Sequence, residues 1–215
     1  MVRIFRNKTV VVDCLDESKM RYFDSVNELG YGLYAVEQAG KFALMDESGN
    51  LLSKWGARSG DEANAKELFP VEWYDEIGKF DMYGLSRVRI GDRYGLLRYD
   101  GVVVASVIYH ELNDFRNGYA IMGVKVDFGE ESMVKHGFIR HDSFVIQAQY
   151  DEVMPFSGGY APVMVEEKWG FIDESGNFVV KPRFDRVMNQ VNGVATVESE
   201  GQRCVFEIAT CRLNV

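Results

Sequence analysis

EEKWGFIDESGNF, residues 166–178, is echoed by GKFALMDESGN at 40–50, and its KWG tripeptide recurs in SKWGARSG at 53–60. Only one of these is a counterpart. A shift of 127 residues (168 − 41) lays KFALMDESGN on KWGFIDESGN without a gap, so that Lys41 meets Lys168, Asp46 meets Asp173 and Gly49 meets Gly176. Phe42 then takes the place of Trp169, and Ala43 that of Gly170. The same shift sends Trp55 to Pro182, so SKWG is out of register, a coincidence of letters.

The surrounding frame recurs five times. Each unit opens on an aromatic residue usually followed by Asp: Phe23-Asp24, Tyr74-Asp75, Tyr109-His110, Tyr150-Asp151 and Phe184-Asp185. Eight or nine residues on, a glycine begins an apolar run, at Gly32, Gly84, Gly118, Gly159 and Gly193. Eleven residues further lies the W-G position, read as Phe42-Ala43, Tyr94-Gly95, Trp169-Gly170 and Arg203-Cys204. The third unit reaches His136-Gly137 only after nineteen, which gives it eight extra residues. Six residues later comes a turn position held by Gly49, Gly101, Ser143, Gly176 and Thr210. The period is 34 residues (185 − 151), and the 51 between Asp24 and Asp75 leaves an excess of 17. Consistent internal spacing of this kind marks a repeat architecture.

Within the fourth unit YAPVMVE and KWGFID read as strands joined tightly through Glu166-Glu167. ESGN supplies a hairpin turn, and FVVKPRF is a third strand with Pro182 expected where no ladder N–H is needed. Alternation and the Val, Phe, Ile and Tyr content favour strands over helices. The fold class is therefore all-β: tandem antiparallel meanders of about three strands each, in an open twisted array or a propeller-like arrangement. A single repeat domain over 1–215 contains units at about 22–56, 73–106, 107–149, 150–183 and 184–215. One such sheet leaves a face wet, so stacking must bury the aromatics at the junctions. Trp169 reads as a packing residue and Gly170 as a point of close approach. The alternative for Trp169 is an exposed platform for a ligand.

Two insertions interrupt the frame. In the first, 57–71, Ser59 and Glu62 have capping-box spacing, DEANAKELF has helical propensity and Pro70 ends it, which predicts one short helix. The second, 124–135, is expected to lengthen a hairpin or to protrude as a loop.

The pattern resembles the bacterial WG, or KWG, repeat. Unit four carries it nearly throughout, in Tyr150-Asp151, Phe156, Gly159, Ala161, Val163, Lys168 to Asp173, Gly176, Pro182 and Phe184. The other units replace Trp by Phe42, Tyr94, His136 and Arg203. The resemblance implies a β-rich interaction scaffold and brings no catalytic residues with it.

Composition narrows the function. With 33 acidic and 24 basic residues the chain has a net charge of −9, which argues against a nucleic-acid surface; it reads first as a solubility device and, more sharply, as attraction for a basic protein partner. Three cysteines, Cys14, Cys204 and Cys211, lack metal-ligand spacing and read as reduced thiols. The basic start MVRIFRNKTVVVDC has no signal-peptide core and no segment reaches the roughly 20 apolar residues of a membrane span. A cytoplasmic chain is expected, without cofactor, metal or membrane. His136 and His141, five apart in a predicted strand, point to opposite faces and make a poor metal pair. The acidic pairs Asp46-Glu47, Glu130-Glu131 and Glu166-Glu167 fall in turns, not across a cleft as glycoside hydrolysis requires. No enzyme is expected. The leading expectation is a protein-binding scaffold, in concrete form an immunity-type inhibitor of a basic toxin. Asp127, Glu130 and Glu131 of the second insertion are its expected contact residues. The alternatives are a small-ligand or glycan module using rings such as Tyr94, Tyr119 and Tyr160, and a purely structural repeat.

Overall fold

The strands form where alternation predicts them, and the turns between them are set by backbone geometry. Every glycine that begins an apolar run has a positive φ, from +70° at Gly84 to +84° at Gly159 and Gly193. At Gly159 and its counterparts a side chain would be strained, which is why the frame keeps glycine there.

A computed structural model describes residues 10–12, 21–52, 73–129 and 131–214. Its contacts divide the chain into two compact units, Met1–Ile108 and Tyr109–Val215.

In the first unit a short hairpin pairs Val10–Val12 with Arg21–Phe23. Repeat 1 follows as a three-stranded antiparallel sheet of Ser25–Gly30, Leu33–Gln38 and Lys41–Asp46. Repeat 2 has four strands, Glu76–Ile77, Leu85–Ile90, Arg93–Arg98 and Val103–Tyr109. One apolar cluster joins them: Leu29, Leu33, Ala35, Leu44 and Leu52 pack with Tyr74, Val88 and Leu97.

The second unit holds three four-stranded sheets. Repeat 3 comprises Glu111–Leu112, Tyr119–Phe128, Glu131–Arg140 and Val145–Tyr150. Repeat 4 comprises Glu152–Val153, Tyr160–Val165, Lys168–Asp173 and Phe178–Phe184. Repeat 5 comprises Arg186–Val191, Val194–Ser199, Gln202–Glu207 and Arg212–Asn214. Two clusters cross the junctions, one running from Tyr119, Phe138 and Tyr150 to Phe156, Val163 and Ile172. The other runs from Trp169, Phe171 and Phe184 to Val187, Val197 and Phe206. Apolar burial between successive repeats is thus the main cohesive term.

The three long strands of repeat 4 lie where they were predicted, but the meander has a fourth, the two-residue Glu152–Val153 that follows Asp151. Sheets of three or four strands match the expected meander of about three, and the added two-residue strands are too short to carry a period. The described residues contain no helix, and the helix expected in 57–71 lies outside them. The second insertion lengthens a hairpin: Tyr119 to Phe128 pair with Arg140 to Glu131 over ten positions, against six in repeat 4. In repeat 5 the positive φ falls on Cys211 (+55°) and not on Thr210, so that turn is one residue longer than the frame implied.

Candidate interaction site

A recurring geometry of side chains ties repeat 1 to repeat 2, repeat 3 to repeat 4 and repeat 4 to repeat 5. The acid after the opening aromatic uses one oxygen to accept an N–H from the hairpin turn of its own repeat. Ala39 N donates to Asp24 Oδ2 at 2.7 Å, Gly91 N to Asp75 at 2.7 Å, Glu166 N to Asp151 at 2.8 Å and Glu200 N to Asp185 at 2.7 Å. His110 stands in for the acid in repeat 3, accepting Lys125 N on Nδ1 at 2.9 Å. The other carboxylate oxygen takes the lysine that precedes the W-G position in the repeat before: Lys41 to Asp75, Lys135 to Asp151 and Lys168 to Asp185. One aspartate therefore clamps a turn and ties two repeats together.

These bonds stabilise the ionised acid. The Lys135 ammonium holds the Asp151 carboxyl below its ordinary range against the opposing effect of burial, and Lys41 and Lys168 do the same for Asp75 and Asp185. The Arg140 guanidinium pushes Asp142 down to about 2. A folded carboxyl that holds its proton less tightly than the unfolded one contributes stability above the unfolded value, about 3.9 for Asp. That contribution is lost as pH falls through the lower folded value. Asp151→Asn should cost about 1–2 kcal/mol at pH 7. In urea melts repeated at falling pH, the gap between Asp151→Asn and the parent should close below about pH 4. A gap that stayed constant down to pH 2 would contradict the ionic role.

The W-G position is a point of contact between strands. Trp169 is 7% exposed, pairs in register with Phe184 and lies in the cluster shared by repeats 4 and 5. It packs, and is not a platform. A Cβ on Gly170 would lie 2.5 Å from the Val180 carbonyl oxygen, because the following strand bulges over it. Pro182 sits inside that bulge, between the register pairs Phe171–Val180 and Trp169–Phe184, as expected of a residue without an N–H. In repeat 3 His136 takes the tryptophan's place and faces the Asp151 carbonyl at 2.9 Å and Glu111 Oε2 at 3.2 Å. Arg203 takes it in repeat 5, where it is solvent-exposed beside Glu198.

The lengthened hairpin of repeat 3 departs furthest from this frame. Beyond the Val124–Lys135 pair it continues for four more pairs, Lys125–Val134 to Phe128–Glu131. The strand Glu111–Leu112 reaches only Met122 and Gly123, and Val145–Tyr150 begins its register at His136, so this stretch is a two-stranded ribbon with two open edges. Asp127 is exposed on it opposite Ser132. Glu131 occupies a facing-strand position one pair nearer the tip, and Glu130 lies outside the described residues. Asp127 and Glu131 thus occupy successive cross-strand pairs of the ribbon, which face opposite sides.

Of the rings expected in a ligand groove, Tyr94 is half-buried with the Arg87 guanidinium 5.4 Å from its centroid. Tyr119 is buried and stacks on Phe156 at 4.1 Å between centroids, and Tyr160 packs against the core of repeats 4 and 5. Exposed aromatics occur elsewhere, in the first unit. Tyr31 (58% exposed) stacks on Tyr99 (47%) with centroids 5.3 Å apart and meets the Phe80 ring edge-on at 6.0 Å. Sequence reasoning missed this pair. The available signal was that Tyr31 occupies a turn position where Asn117, Gly158 and Asn192 stand in other repeats. Among the described residues, no group of three or more His, Cys, Asp or Glu side chains gathers to hold a metal. None of their helices is long and apolar enough to cross a membrane.

The Asp–Lys clamp and the bulged strand over the W-G glycine recur between repeats, and in repeat 4 a buried tryptophan completes the unit. A family model described as WG containing repeat matches residues 141–169 and 169–202. Residues 141 to 202 are two adjacent WG repeats. No curated protein matches the chain. The WG repeats bring a scaffold in which the shared side chains are spent on cohesion. The ribbon of repeat 3 and the aromatic pair of repeats 1 and 2 are what differs between repeats.

Proposed function

We propose that the chain is a non-catalytic protein-binding scaffold, in its concrete form an immunity-type inhibitor of a basic bacterial toxin. The observation that carries this reading is the ribbon at residues 125–134, whose open edges extend past the repeat frame and display Asp127. Open strand edges accept an added strand through main-chain hydrogen bonds, and acidic side chains along them favour a basic one. A net charge of −9 adds long-range attraction, which acts mainly on the association rate and is weakened by salt. The burial of Tyr119 counts against the alternative of a glycan groove built on that ring.

The test begins with a partner recovered from the native cell and identified. Asp127, Glu130 and Glu131 are then all changed to Lys. Affinity should fall at least about tenfold at low ionic strength, and its dependence on salt should flatten. An unchanged affinity and salt slope would remove the ribbon from the interface. A partner that is not basic would remove the inhibitor reading.

A further inference from the structure

We propose that Tyr31 and Tyr99 form a docking site for an arginine side chain of a basic protein partner. The inference rests on the protein-binding reading above, but on different residues.

Three observations meet at this place. Tyr31 adopts φ +55° in a two-residue turn ahead of Gly32 (+72°), a conformation that suits Asn or Gly and is costly for a bulky side chain. Asn117 (+52°), Gly158 (+58°) and Asn192 (+49°) hold the corresponding place in repeats 3, 4 and 5. A tyrosine kept in a strained position and left more than half exposed contributes little to the core, so its value lies in its ring. Strain of this kind collects at binding sites.

Second, the ring is not alone. Tyr99 lies over Gly84, where a Cβ would come within 2.7 Å of Tyr99 Cδ1, and this contact positions its ring beside Tyr31. Phe80 closes one side edge-on, and Met82, 85% exposed, extends the apolar surface. The Tyr31 hydroxyl donates to the Asp81 carbonyl oxygen at 3.4 Å. The platform is thus assembled from three separate turns of repeats 1 and 2, within one compact unit.

Third, one carboxylate without a partner among the described residues borders the rings, while the other charges beside them balance. Glu47 borders the Tyr31-Gly32 turn, its Oε1 lying 3.1 Å from where a side chain on Gly32 would begin. Its carboxylate makes no hydrogen bond or ion pair with another described residue. Asp100 follows Tyr99 directly and is engaged by Arg98, while Lys79 precedes Phe80 on the exposed side. An unengaged carboxylate beside π faces suits a cation. Of the two common cations, guanidinium is planar, weakly hydrated and stacks on aromatic rings, whereas ammonium keeps its water. Tyr and Arg are also the residue types on which binding energy concentrates at interfaces.

Deca-arginine and deca-lysine, equal in formal charge, are the probes, titrated calorimetrically into the full chain. Deca-arginine should bind about fivefold more tightly than deca-lysine. Tyr31→Asn, which fits the left-handed backbone, should abolish that preference with no loss of thermal stability. Tyr99→Leu should do the same, and Glu47→Gln should weaken both peptides. Equal affinities for the two peptides, or a preference that survives Tyr31→Asn, would overturn the proposal. So would a neutral maltooligosaccharide whose binding is lost in Tyr31→Asn, since that would make the platform a sugar site. The two readings fail separately. An arginine preference lost in Tyr31→Asn, together with a ribbon that captures nothing, leaves this site standing alone. A ribbon-dependent partner held equally by Tyr31→Asn and the parent retires this site and keeps the ribbon.

Discussion

Gly170→Ala should destabilise the protein by about 3 kcal/mol or more, and Gly170→Val should prevent repeat 4 from forming. The atoms a new Cβ would meet are all main chain: Val180 O at 2.5 Å, Pro182 N at 2.8 Å and the Lys181 carbonyl carbon at 3.0 Å. A side chain in the way can change rotamer, but a bulged strand can retreat only by giving up its ladder. The same clash awaits a Cβ on Gly137, 2.3 Å from Ile146 O, and on Gly95, 2.7 Å from Ala105 O. In repeat 1 Ala43 holds this place, and there residues 53–72 intervene between Leu52, bonded to Leu44, and Tyr74, bonded to Phe42. Gly201→Ala is the control. Its φ of +76° strains a side chain, but no atom lies within 4 Å of the new Cβ, so only the backbone cost of about 1 kcal/mol applies. Urea midpoints at matched slopes compare the two. If Gly170→Ala cost no more than Gly201→Ala, the W-G glycine would be a turn residue and not a packing one.

How far the repeat was readable depended on whether a feature is local. The glycines Gly32 to Gly193 could be found by spacing because each fixes a backbone sign inside a tight turn, of two residues except at Gly84, where it has three. Pro182 could be placed because a missing N–H excludes most strand positions. The bulge over Gly170 could not, since it is a mismatch in register between two strands and leaves no pattern in either one. The acid of the aromatic-Asp pair was visible as a letter, but its two-sided role needed the directions of Lys168 and the Glu200 N–H. Asp127 was picked because its segment broke the frame, and it does lie on a projecting ribbon. The Tyr31–Tyr99 pair was missed because the rings come from different repeats, 68 residues apart (99 − 31), and only packing brings them together. Aromatic abundance pointed instead to Tyr119, which the core uses. In these repeats most aromatics serve the junctions, so the informative aromatic is Tyr31, which stands where repeats 3 to 5 carry Asn or Gly.

Phe206→Ala should cost about 3–5 kcal/mol, and the loss should be felt mainly in repeat 5. Phe206 is fully buried, with its ring stacked on Phe171 at 6.0 Å and edge-on to Phe184 at 5.0 Å, beneath the Arg183 guanidinium at 5.4 Å. Truncation removes the centre of the cluster that Val187, Ala195, Val197 and Ile208 share with repeat 4. Those partners sit on strands that cannot close the gap without breaking ladder bonds, so a cavity remains. In a tandem array each repeat is stabilised by its own sheet and by its neighbours, and a junction defect should release the repeat that depends on it. Repeat 4 retains a second cluster, shared with repeat 3 through Phe156, Ala161, Val163 and Ile172. Amide exchange in 186–214 should therefore accelerate about a hundredfold, while the Tyr119–Arg140 hairpin keeps the parent's protection. Equal acceleration in both segments would mean that the repeats of this unit unfold as one cooperative body. The nearest-neighbour account of repeat stability would then have to be abandoned for this unit.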